Sequence, residues 1–76
     1  MNDNRRKKID EVIGLIEKAR LIVQEVAEEE NETYDNLPDS LKYSERGESM
    51  YESVQALEYS EDSFNALLDN LEEAKQ

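Results

Sequence analysis

From Ile9 onward, apolar residues recur at Ile9, Val12, Ile13, Ile16, Ala19, Val23 and Val26, the three-and-four spacing of an amphipathic helix. Leu15 and Ile22 widen this stripe, and Leu21 lies off it. Asn2-Asp3-Asn4 offers an N-cap, so the pattern predicts a helix over residues 4–35, roughly 45 Å long at 1.5 Å per residue. It should stop at Asn36, a residue that tolerates left-handed geometry, because Pro38 pushes Leu37 out of the helical region. A second helix is predicted over 45–74. Ser44 is a good N-cap, and Glu45 and Glu48 in the first turn suit the helix dipole. Met50, Val54, Leu57, Glu61, Phe64, Leu68 and Leu71 then form a heptad seam with one acid in its middle. A connection as short as 36–44 makes helices antiparallel neighbours. The fold class expected is therefore all-α: one antiparallel two-helix hairpin domain over residues 1–76.

Such a hairpin, turning near residue 40, sets side by side residues whose numbers sum to about 80. Glu61 then faces Arg20, which predicts a structural, register-setting pair rather than a catalytic one. The same rule places Arg5, Arg6, Lys7 and Lys8 beside Glu72 and Glu73, which would offset the unfavourable position of bases in a first helical turn. Two helices cannot cover the wide stripe of the first, so Leu15, Leu21 and Ile22 should stay exposed. Isolated two-helix units lack core. The expectation is a homodimer forming a four-helix bundle, with a docking face for another protein as the alternative.

Composition narrows the chemistry. The chain has no cysteine, histidine or tryptophan, so thiol nucleophiles, disulfides and imidazole-dependent catalysis are absent. No enzyme activity and no cofactor are expected. No carboxylates stand in the alternating pattern of a calcium loop, and no specific metal site is expected. The net charge of -11 would repel nucleic acid and anionic membrane. No apolar run suffices for a membrane span, and the start lacks the apolar core of a secretory signal. These features predict a cytoplasmic protein with a basic partner. The charge is uneven: residues 1–20 carry a net +2 and residues 21–76 a net -13.

Four features could carry function. In the connection, Leu37, Leu41 and Tyr43 are spaced to plug the end of the helix pair, with Pro38-Asp39-Ser40 as turn chemistry. Gly47, level with Tyr34 by the sum rule, would make room for that ring. The alternative is a recognition surface at a rigid hairpin tip. Around that tip, Glu28, Glu29, Glu32, Asp35, Asp39, Glu45, Arg46 and Glu48 form a candidate acidic partner-binding site, the plain alternative being a solvated helix face. Carboxylates at helical spacing on a stiff rod can also imitate duplex phosphates. Tyr59 points away from the seam and is the candidate aromatic anchor, whereas Tyr34 and Tyr51 suit half-buried packing. The run Arg5-Arg6-Lys7-Lys8 could contact phosphates, but nearby acids would neutralise it, so direct nucleic-acid binding is not expected.

The early RRKKI, the acidic helix, DNLP at residues 35–38, SERGE at 44–48 and the acid-rich heptad helix resemble a group of small acidic helical-hairpin proteins of phages and integrated mobile elements of Gram-positive bacteria. The resemblance implies a genomic setting and no site residues. It raises the expectation that the chain binds and inhibits a host protein, concerned with defence or DNA handling, in the bacterial cytoplasm. Two other classes compete: a self-assembling accessory hairpin, and a small-molecule binder or enzyme, which needs a concave polar pocket.

Overall fold

The computed structural model describes residues 1–76. It consists of α1 (Asp3–Asp35), a single turn α2 (Asp39–Lys42) and α3 (Glu45–Ala74), with α1 packed along α3 in a rod of 58 × 15 × 12 Å. The Asn2 side chain accepts from the Arg5 amide, and the Ser44 hydroxyl from the Gly47 amide, satisfying amides that a helix start leaves unpaired.

At the far end of α1, Asn36 caps in the right-handed region at φ -86, ψ -2, not in the left-handed geometry expected of it. No residue has a positive φ. Pro38, the other part of the expected stop, stands at the N-cap of α2, where its carbonyl accepts from the Leu41 and Lys42 amides as the chain reverses. The expected loop thus contains a helical turn, too short for apolar periodicity to reveal.

Contacts across the hairpin pair residues whose numbers sum to 81 in Arg6–Lys75 and Arg20–Glu61, and to 85 in Gln24–Glu61, Arg20–Asn65 and Tyr34–Tyr51. The helices are therefore antiparallel, with an offset of up to about one turn from a pivot at residue 40. At the open end, Arg6 Nε donates to the Lys75 carbonyl at 2.7 Å and the Met1 ammonium to the Gln76 carbonyl at 3.0 Å. The predicted pairing of residues 5–8 with Glu72 and Glu73 does not occur. Arg6 pairs with Asp3, and Lys75 holds both Asp10 and Glu72 at 2.7 and 3.3 Å. Arg6 and the N-terminal ammonium instead meet the carbonyl end of α3, where cations are favoured. Hydrogen bonding to Asp10, then to Glu72, holds the Lys75 ammonium above the ordinary lysine value of 10.5.

Both helices carry heptad seams. On α3 the seam is the expected one, extended by Gly47 and Lys75; on α1 it comprises Ile9, Ile13, Ile16, Arg20, Val23, Ala27, Glu30 and Tyr34, all buried or half-buried. Val12, Ala19 and Val26 were expected in the α1 stripe, but they are exposed. Leu15, Leu21 and Ile22 are exposed as anticipated, at 62, 61 and 53%. Ile13, Val54 and Gly47 are the only buried residues of the 76, so the seam is closed along its line of contact and open on both flanks.

Candidate functional site

Each residue of an α-helix turns the side-chain direction by about 100°, so positions one before and one after a seam position lie on opposite flanks of the helix. An antiparallel pair is related by a two-fold axis perpendicular to the plane of the hairpin. Positions with the same offset on α1 and α3 therefore share a face.

The face at one residue after the seam carries Asp10, Glu17, Glu28 and Asp35 on α1, and Glu48, Glu58, Asp62, Asp69 and Glu72 on α3. No lysine or arginine occupies any of these offset positions, which are otherwise filled by Gly14, Leu21, Gln24, Asn31, Tyr51, Gln55 and Asn65. Hydrogen bonds cross the hairpin on this side, from Gln24 to Glu61 at 2.9 Å and from Arg20 to Asn65 at 3.1 Å. From the Gln24–Glu61 bond toward the tip runs an open groove, floored by Val23, Ala27 and Leu57 and walled by Gln24, Glu28, Asn31, Glu58 and Glu61. Its acids can accept from lysine or arginine, and its floor can take a small apolar side chain.

The opposite face, one residue before the seam, holds Val12, Leu15, Ala19, Ile22 and Val26 on α1, ended by Lys8 and Glu29. On α3 it holds Arg46 at the tip and then Ser49, Ser53, Ala56, Ser60, Ser63, Leu67, Asn70 and Ala74, none of which is charged. The hairpin is thus acidic on one flank, whereas the other is apolar along α1 and lined mainly by small neutral residues along α3.

The Arg20–Glu61 pair stands in the seam as a polar layer. Arg20 Nε lies 3.9 Å from Glu61 Oε1, too long for a hydrogen bond, and that nitrogen is buried without a partner. Glu61 takes its hydrogen bond from Gln24 instead. The two residues are level, as the sum rule requires, but each is bonded to a neighbouring amide. Gly47 is required for a reason other than the Tyr34 ring: a Cβ there would collide with the Leu41 and Lys42 carbonyl oxygens, which α2 brings over the start of α3.

Glu28, Glu29, Glu32, Asp35, Asp39, Glu45, Arg46 and Glu48 are all exposed at the tip, but they do not share one face. Glu28, Asp35 and Glu48 belong to the acidic flank, Glu29 and Arg46 to the apolar one, and Glu32 and Glu45 point outward. The predicted plug is incomplete: Leu37 is half-buried, whereas Leu41 is 40% and Tyr43 86% exposed. Tyr43 borders a shallow cleft with Tyr34, Lys42, Glu48, Tyr51 and Glu52. There the Tyr34 and Tyr51 rings meet at 5.8 Å, and the Lys42 ammonium sits 5.6 Å from the Tyr34 centroid. Tyr59 projects from the outer edge of α3, away from both flanks, 68% exposed.

The acidic flank was overlooked because its members are scattered along the chain. The signal for it is the seam position plus one, which becomes readable only once the α1 seam is assigned. No group of His, Cys, Asp or Glu residues stands close enough to hold a metal ion, and no helix is long and apolar enough to cross a membrane. No protein-family model, curated protein or solved structure matches the chain.

Proposed function

We propose that the chain is a non-enzymatic interaction protein that binds a basic surface of another protein through its acidic flank. The setting suggested by DNLP and SERGE makes that partner a host defence or DNA-handling protein, which the binding inhibits. The observation that carries this reading is a row of seam-plus-one acids with no base among them, of which only Asp10 and Glu72, both held by Lys75 at the open end, are ion-paired, beside a groove with an apolar floor. Salt-sensitive, fast association is the expected behaviour of such a face. Leu21 and Tyr51, the large apolar residues on that flank, supply contacts that charge alone would not.

Imitation of duplex nucleic acid is the weaker form of this reading for a single hairpin. A net charge of -11 along 58 Å is one charge per about 5 Å, against one per about 1.7 Å in duplex DNA. Charge complementarity to a protein surface, aided by the groove, is sufficient.

The test is capture from a Gram-positive bacterial lysate with elution in rising salt, run with two charge-matched variants. Glu58→Lys with Asp62→Lys alters the acidic flank, and Glu25→Lys with Glu73→Lys alters outward-facing positions by the same net charge. Loss of one captured basic protein with the first variant alone supports the proposal, and a purified partner's own activity then reads inhibition. Equal loss with both variants reduces the binding to net charge. Return of the chain alone at every salt concentration removes the reading and leaves the self-assembling accessory hairpin.

A further inference from the structure

The apolar flank needs an occupant, and its own sequence describes one. Along α1 it reads Lys8, Val12, Leu15, Ala19, Ile22, Val26, Glu29, with large apolar residues symmetric about Ala19 and opposite charges at the ends. Turned end for end, this stripe matches itself: Leu15 meets Ile22, Val12 meets Val26, and Lys8 meets Glu29. We propose that this flank is the interface with a second copy of the chain, packed so that α1 lies antiparallel to α1 of its partner across a two-fold axis at Ala19.

Three observations support that occupant. The hairpin alone fully buries only Ile13, Val54 and Gly47, leaving Val12, Leu15, Ile22 and Val26 between 40 and 62% exposed. That is little core for an independent domain, and a second copy would cover both the stripe and the open edge of the seam beneath it. Neither Lys8 nor Glu29 has an ion-pair partner within the chain, and the two-fold supplies one to each, twice. Finally, the orientation is selected by charge. Residues 21–35 of α1 contain acids and no base, whereas residues 5–8 are all basic. Antiparallel α1 helices set each acidic end near a basic one, whereas hairpins aligned tip to tip would oppose like charges. On α3, Ser60 and Ser63 fall opposite the middle of the α1 stripe, and small side chains there let the two α3 helices approach closely. The result is a four-helix bundle whose acidic flanks face outward on opposite sides, a geometry independent of what those flanks bind.

Sedimentation or light scattering should give a dimer for the native chain. Leu15→Asp with Ile22→Asp should give a monomer that keeps its helical circular dichroism, since both positions lie outside the intrachain seam. Lys8→Glu should weaken the dimer roughly tenfold at low salt, through two lost attractions and two gained repulsions, and adding Glu29→Lys on the same chain should restore it. The native chain has no cysteine, so Ala19→Cys alone should form an interchain disulfide on oxidation, while Val12→Cys alone should not. A monomeric native chain would overturn the proposal. So would cross-linking through both cysteines, which indicates parallel helices, or failure of the charge swap to restore association.

Discussion

Gly47 and Gly14 show how much depends on where a side chain would go. Both are helical, yet a Cβ at Gly47 would run into the Leu41 and Lys42 carbonyls, whereas one at Gly14 meets nothing within 4 Å. Backbone atoms of a hydrogen-bonded turn cannot move aside as a flexible side chain can. Gly47→Ala should therefore destabilise the fold by about 1–3 kcal/mol, the usual cost of overpacking. Gly14→Ala should stabilise it by about 0.5–1 kcal/mol, because alanine loses less conformational entropy in a helix. Urea midpoints of the two variants check both signs. If Gly47→Ala were neutral, α2 would not be held against α3. Nothing in SERGE distinguishes a glycine that clears a backbone from one that clears a ring. The position of Gly47 one turn inside the helix was legible, but the direction from which α2 approaches it was not.

At the scale of the helices, the α3 seam was readable in full and the α1 seam only in part, for one physical reason. On α3 the only large apolar residues off the seam are Tyr51, Tyr59 and Leu67, which do not form a second row at heptad spacing, so the face has no rival. On α1 two heptad rows run side by side, one position apart, Ile9-Ile13-Ile16-Val23-Ala27 and Val12-Leu15-Ala19-Ile22-Val26, and hydrophobicity favours neither. The row facing α3 is the one containing Arg20, because that row brings Arg20 level with Glu61 and lets Gln24 and Asn65 satisfy the two charges. We read this polar layer as setting the register at a cost in stability. Arg20 Nε is buried unpaired, and the side chains are about a third exposed, so the attraction between them is well screened. Replacing both by leucine should raise stability by about 1 kcal/mol, the low end of the range for buried pairs exchanged for apolar residues, because this pair is only half-buried. Arg20→Leu alone should have a smaller effect, since Glu61 keeps its bond from Gln24. A double variant with a lower urea midpoint than the native chain would mean that the pair contributes net stability as well as register.

Charge governs the whole molecule differently. The ion pairs are Arg6–Asp3, Arg20–Glu61, Lys75–Asp10 and Lys75–Glu72, all at least partly exposed, and pairs of that kind contribute only about 0–1 kcal/mol each. Against them stands a net charge of -11 in a rod 15 Å by 12 Å in cross-section, in which acids one turn apart repel along both helices. Repulsion acts over longer distances than the pairs do, so salt should screen it more than it weakens them. Raising ionic strength from about 0.01 M to about 0.15 M shortens the screening length from about 30 Å to about 8 Å. The melting temperature should therefore rise by several degrees, since about 1 kcal/mol corresponds to about 4–8 °C in a domain of this size. The rise should be larger at high chain concentration, because two copies meeting through the apolar flank double the charge on a rod of similar length. It would also bring the net charge of the pair to one per about 2.6 Å, from twice -11 over 58 Å, much nearer the one per about 1.7 Å of duplex DNA. Imitation of nucleic acid thus becomes physically reasonable only for the dimer. A melting temperature that fell with salt would show that attraction between charges outweighs repulsion, and the acidic flank would then be part of what holds the hairpin together rather than a surface free for a partner.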